Sequence, residues 1–207
     1  MLEQLQEWDY LWFFSVHLEW IHPVMDILAP LLRNPLFWAP LYLFLLFFTI
    51  INYGKRGFYW CAFYLITFGI SDFTAAKIFK PLFARVRPCN DELFSDIVRN
   101  LVQCGSGYSF PSNHAANHFA MSLFIIVTLG QRNVLVWFLC LLWAGSVAYS
   151  QVYVGVHYPM DVIGGALYGA CIGILMGVLF NKYVKLRLPI RRRNAPPMGQ
   201  QEEELFI

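Results

Sequence analysis

The chain has 207 residues, of which 58% are hydrophobic and 14% charged, and its mean hydropathy is +0.50. A soluble domain carries roughly a quarter charged residues, so this composition excludes one and indicates an integral membrane protein. Long continuous apolar runs exclude a barrel, whose strands alternate in segments of about ten residues, and a net charge of +2 without an arginine-rich stripe gives no basis for nucleic-acid binding.

Residues 2–19 mix Leu, Trp and Phe with acids at helical spacing and predict an interfacial amphipathic helix. The N-terminus carries Glu3, Glu7 and Asp9 and no basic residue. That is the reverse of a signal peptide, so the first spans are expected to be uncleaved anchors. Residues 22–33 form a short apolar segment containing Asp26 and stopped by Arg33-Asn34-Pro35. It reads either as interfacial or as a half-span. Membrane spans are predicted over 36–53, 58–79, 114–130, 133–153 and 161–180. The expected fold is all-α: a polytopic bundle of five to six transmembrane helices in a single domain over residues 1–190. Residues 191–207, with Arg191-Arg192-Arg193, Pro196-Pro197 and three consecutive glutamates, read as a disordered cytoplasmic tail.

Charge predicts the orientation. With five spans, Lys55, Arg56, Arg132, Lys182, Lys185, Arg187 and the 191–193 triplet fall on one side, nine of the 15 Lys and Arg residues. The positive-inside rule makes that side cytoplasmic. The polar 80–113 connection, the start of the span after it and the turn at His157 to Asp161 then share the extracytoplasmic level. Cys89 and Cys104 lie in that connection and can pair if it is extracytoplasmic. Cys61, Cys140 and Cys171 sit in apolar runs as small hydrophobes. Gly165, Gly169, Gly173 and Gly177 line one face of the last span. That face suits packing within the bundle or, alternatively, a homodimer seam.

Three polar islands between Lys80 and Asp161 carry the chemistry. His157 and Asp161 flank a turn at Pro159, where the carboxylate can fix the imidazole tautomer and leave the other nitrogen nucleophilic. The alternative is a capping Asp beside an interfacial His. His114 follows Pro111-Ser112-Asn113 at a helix start, where a cap and free N–H groups make an anion site. His118 is one turn on; the pair can bind zinc, but no third ligand follows in that helix. Lys80 and Arg87 are either a phosphate clamp or two snorkelling interfacial cations. Arg85, two residues from Arg87, is expected to face solvent or lipid headgroups. Cations and N–H donors for phosphate oxygens, an in-line nucleophile and an acid for the leaving oxygen are what phosphoryl transfer needs.

With these residues the chain resembles the type-2 phosphatidic acid phosphatase superfamily of membrane lipid phosphatases. Lys80-x6-Arg87-Pro88 matches its first motif in full. Pro111-Ser112-Asn113-His114 departs from Pro-Ser-Gly-His at Asn113, and Ser150-Gln151-x5-His157-x3-Asp161 departs from Ser-Arg-x5-His-x3-Asp at Gln151. The resemblance implies a metal-independent, cofactor-free phosphatase working through a phosphohistidine. His157 would be the nucleophile, Asp161 its orienter and His114 the acid. Lys80, Arg87, Ser112, Asn113, Ser150 and Gln151 would hold the phosphate. Polyprenyl (undecaprenyl) diphosphate is the expected lipid. Phosphatidylglycerol phosphate, phosphatidic acid and lipid A phosphates are close rivals, as is a phosphotransferase. A non-catalytic lipid-phosphate binder or transporter is the reading that the loss of arginine at 151 would favour. The expected location is the bacterial cytoplasmic membrane, with the site facing the periplasm.

Overall fold

The computed structural model describes residues 2–99, 101–130 and 133–186. Helix α1 (Leu2–Phe14) continues as a wider turn over Ser15–Glu19, and α2 (Pro23–Leu32) follows. Helices α3 (Ala39–Tyr53) and α4 (Lys55–Thr74) come next; α4 runs on through Ala75–Phe79 into α5 (Lys80–Phe83). The remaining helices are α6 (Asn113–Thr128), α7 (Val134–Tyr153) and α8 (Pro159–Tyr183). The expected tail at 191–207 lies outside the described residues.

Local chemistry sets the breaks. Pro23 opens α2 behind His22, whose Nδ1 accepts from the Val24 N–H at 3.2 Å. Gly54, at φ +56°, turns the chain between α3 and α4, a backbone angle that costs glycine nothing. Asn133 caps α7 by accepting from the N–H groups of Leu135 and Val136. Pro159 opens α8, and the Asp161 side chain accepts from the Tyr158 N–H at 2.9 Å.

Four stretches are long and apolar enough to cross a membrane: Pro35–Tyr53, Lys55–Phe83, Val134–Tyr153 and Pro159–Tyr183. They match four of the five predicted spans. The fifth, α6, has 16 residues and is the central post of the bundle, with Ala116, Ala120, Phe124 and Ile126 fully or almost fully buried. Helix α8 lies against α6 along the glycine face. A Cβ at Gly169 would come within 2.0 Å of the Ala116 carbonyl oxygen, and one at Gly173 within 2.2 Å of the Ala120 oxygen. Only glycine permits this approach, and the face is taken up within the chain by α6.

Two apolar clusters result. One fills the bundle between α4, α6, α7 and α8, around Trp60, Phe124, Val147 and Phe180. The other joins α1 to the turn between α7 and α8 through Phe13, Val16, Tyr153, Val156 and Tyr158. Helix α1 turns Phe13 and Val16 inward while Leu5, Trp8, Leu11 and Trp12 stay exposed, the face a membrane interface would cover. Asp9 is also turned inward and is only 3% exposed. A buried carboxylate needs a partner, and that partner lies in the candidate site.

Candidate active site

The loop from Ala84 to Ser112 folds over the ends of α6 and α8. The Cys89–Cys104 disulfide closes its middle, with the Cα atoms 6.0 Å apart. Beneath the loop lies a cavity of about 290 Å³ lined by Arg33, Lys80, Arg87, Gln103, Gly105, Asn113, His114 and His157, with Ala76. Five residues singled out in the sequence therefore meet here, although Lys80 and His157 are far apart in the chain. The volume is just under the ~300 Å³ at which pockets begin to engulf a drug-sized molecule. It suits a headgroup, not a lipid tail.

His157 is 2% exposed and held from both ends. Its Nδ1 lies 3.4 Å from Asp161 Oδ2 and 3.3 Å from Ser109 Oγ, and Ser109 donates a short hydrogen bond to the same Asp161 oxygen. On the cavity side, Arg87 Nη1 lies 3.4 Å from His157 Nε2. A guanidinium can only donate, so Nε2 must accept, and the proton sits on Nδ1 facing Asp161. The lone pair of Nε2 therefore points into the cationic cavity. Burial pulls the His157 pKa down to about 4, against the opposing pull of Asp161, so the ring is neutral at ordinary pH.

Asp161 is fully buried and well supplied with donors. Besides Ser109 and His157 it accepts from the Tyr158 N–H at 2.9 Å and from Arg85 Nη1 at 2.8 Å. Arg85 does not face solvent or headgroups, as its position in sequence suggested. Its second nitrogen pairs with Asp9 at 2.5 Å, and its guanidinium lies 4.2 Å above the Tyr158 ring. Burial opposes its charge, but Asp161 and Asp9 outweigh that and raise its pKa. Asp9 also accepts from the Met160 N–H at 2.8 Å. The reason for the difference is backbone: Ala84 adopts the left-handed conformation (φ +46°) and no helix covers 84–87. In such a segment residues two apart share a side. Arg85 and Arg87 thus reach opposite ends of one His157–Asp161 pair.

The other cations are held by neutral carbonyls. Lys80 Nζ donates to the Tyr108 carbonyl at 2.8 Å, and Arg87 donates to those of Gly107 at 2.8 Å and Val156 at 3.3 Å. Burial lowers the Arg87 pKa, an effect that Asp161 opposes. Ser112 heads α6 with its N–H on the Asp161 carbonyl and its buried Oγ without a partner. Asn113 lines the cavity, but its side-chain amide donates to Asp72 at 2.9 Å, as that of Asn117 does at 2.8 Å. His118 turns its Nδ1 to the His114 carbonyl at 2.8 Å, and the two rings stack 6.5 Å apart.

Ser150 and Gln151 do not line the cavity. Ser150 Oγ donates to the Val147 carbonyl at 2.6 Å, and Gln151 Nε2 donates to that carbonyl and to Ser150 Oγ, each at 3.1 Å. Both are buried in α7, with Gln151 Oε1 unpartnered. Sequence reasoning missed Asp9, Ser109, Gln103 and the placement of Arg33, none of which falls within the three motifs.

A membrane helical bundle that closes a loop over two histidines, a buried carboxylate and uncompensated cations is a membrane protein built to handle phosphoryl groups. The chain belongs to the PAP2 superfamily, whose family model matches residues 58–185. It is 29% identical over 219 residues to a lipid A 4'-phosphatase of Bacteroides thetaiotaomicron, covering 100% of this chain and 92% of that protein. It is 36% identical over 105 residues to an undecaprenyl-diphosphatase of Sulfolobus acidocaldarius, covering 48% of this chain and 45% of that one. Among solved structures, the transmembrane PAP2-type phosphatidylglycerolphosphate phosphatase of Bacillus subtilis superposes with a TM-score of 0.66 at 25% identity, over 89% of this chain and 90% of that one. Family and relatives make the chain a membrane phosphoric ester hydrolase.

Proposed function

We propose that the protein is a metal-independent lipid phosphatase that removes a phosphate from lipid A or a closely similar phosphoglycolipid at the extracytoplasmic face of a bacterial cytoplasmic membrane. The observation that carries the chemistry is His157: Nδ1 on Asp161, Nε2 facing Arg87 in a cavity shared with His114 and Lys80. Nε2 attacks phosphorus as the ester P–O bond breaks, and His114, which takes up a proton as the anionic substrate enters beside it, gives that proton to the departing oxygen. A water then attacks the phosphohistidine, His114 takes the water's proton, and phosphate and neutral His157 are regenerated. An apolar cavity of about 360 Å³ between α3, α4 and α6 reaches Pro35, two residues beyond Arg33, and suits the substrate's tail.

The near full-length likeness to a lipid A 4'-phosphatase moves the first choice of substrate away from polyprenyl diphosphate. Undecaprenyl diphosphate is the second reading, favoured by the relative of higher identity over about half the chain. The test is phosphate release by the purified chain in EDTA, from phosphorylated lipid A, undecaprenyl diphosphate, phosphatidylglycerol phosphate and phosphatidic acid. Lipid A is expected to turn over fastest, with His157→Ala inactive and His114→Ala slowed by about 10²–10⁴-fold. Turnover by His157→Ala, or strict dependence on added divalent metal, overturns the mechanism.

A further inference from the structure

Three cations line the cavity, and one of them comes from outside the motifs. Arg33 ends α2, where the helix dipole favours a positive charge, and Asn34 and Pro35 stop the helix there. The His114 ring sits against the Arg33 main chain. Burial and the nearby charge of Arg87 both lower the Arg33 pKa, so the two guanidinium groups feel one another.

Among the described residues, no carboxylate lies within 4.0 Å of a charged nitrogen of Arg33, Lys80 or Arg87. Lys80 and Arg87 are steered by backbone carbonyls, which fix direction without cancelling charge. Gln151 adds no charge, being turned into α7. At the N-terminus of α6, next in the chain to the cavity residue Asn113, Ser112 Oγ is buried and unpartnered. Three like charges around one small cavity repel each other unless an anion lies between them.

We propose that Arg33 is a substrate-binding residue, the third cation of the phosphate site. This rests on the phosphatase reading above. A phosphomonoester carries about −1.5 to −2 charges near neutral pH and three acceptor oxygens, which three cations match.

The test uses the full chain in detergent with EDTA, phosphorylated lipid A as substrate and inorganic orthovanadate as a competing oxyanion. Arg33→Gln is expected to raise both KM and the orthovanadate inhibition constant by about tenfold to a hundredfold, the range for losing a charge-assisted hydrogen bond. kcat should fall much less, and Arg33→Lys should recover part of the loss. Arg33→Met, which retains the aliphatic stem, takes the place of Arg33→Gln if the latter does not fold. Wild-type KM and orthovanadate inhibition in the folded variant overturn the role of Arg33 while leaving the phosphatase reading intact. Failure of the wild-type chain to release phosphate from any lipid phosphate overturns the phosphatase reading itself.

Discussion

Arg85 offers the sharpest test of how the site is held. Its guanidinium joins Asp161 at 2.8 Å and Asp9 at 2.5 Å; the side chains of the two acids are 0% and 2% exposed and that of Arg85 is 26% exposed. Removing one partner of a buried ion pair costs about 3–5 kcal/mol, because a buried charge is left uncompensated. Asp161 would still have Ser109, His157 and the Tyr158 N–H. The lower end, about 3 kcal/mol, is therefore expected for Arg85→Met. For a chain of this size that corresponds to a fall in Tm of roughly 6–12 °C. Arg85 does not line the cavity, so KM should hold while kcat drops about tenfold to a hundredfold as His157 loses its fixed orientation. Thermal unfolding in detergent and initial rates of phosphate release read the two effects separately. An Arg85→Met protein with wild-type Tm and kcat would refute the argument, and a rise in KM alone would place Arg85 on the substrate instead.

Three further outcomes are expected. His157, held near about 4 by burial, stays neutral as pH falls through 6.5, so its ring resonances in a histidine-selective NMR titration should move near pH 4; movement between 6 and 7 would contradict its burial. The unfolded chain takes up that proton near the ordinary histidine value of 6.5, so this residue makes the fold less stable as pH falls from 6.5 toward 4, and more stable as pH rises. Cys89→Ser opens a loop closed across 15 positions and should cost about 3 kcal/mol, read as a lower Tm together with a loss of rate, since Gly105 beside Cys104 lines the cavity with Arg87. Gln151→Arg should remain active with an altered order of preference among lipid phosphates; complete loss of activity would mean that the glutamine has a structural duty in α7.

Much of the bundle was legible because membrane spans write themselves as apolar length. The ends of the predicted spans fall within about four residues of the observed helical stretches, and the 114–130 span matches α6 to within two. The site was legible where motif spacing carries it: His157, His114, Lys80 and Arg87 share a cavity as expected. It was illegible wherever partners lie far apart in sequence. Arg85 meets Asp161 across 76 positions and Asp9 across another 76. Arg85 was read outward for being two residues from Arg87, but after the left-handed Ala84 the non-helical chain lets both reach the His157–Asp161 pair. Ser150 and Gln151 show the converse: their place in the motif pointed to the phosphate, but their side chains spend their hydrogen bonds on their own helix.

The Asp9–Arg85–Asp161 connection also bears on how the protein is made. Asp9 is made before Arg85, and Asp161 in α8 only after both. Until α8 is inserted, Arg85 has only one of its two acids and His157 has no carboxylate to orient it. The buried charges of the connection are therefore balanced only once α8 has packed beside α1.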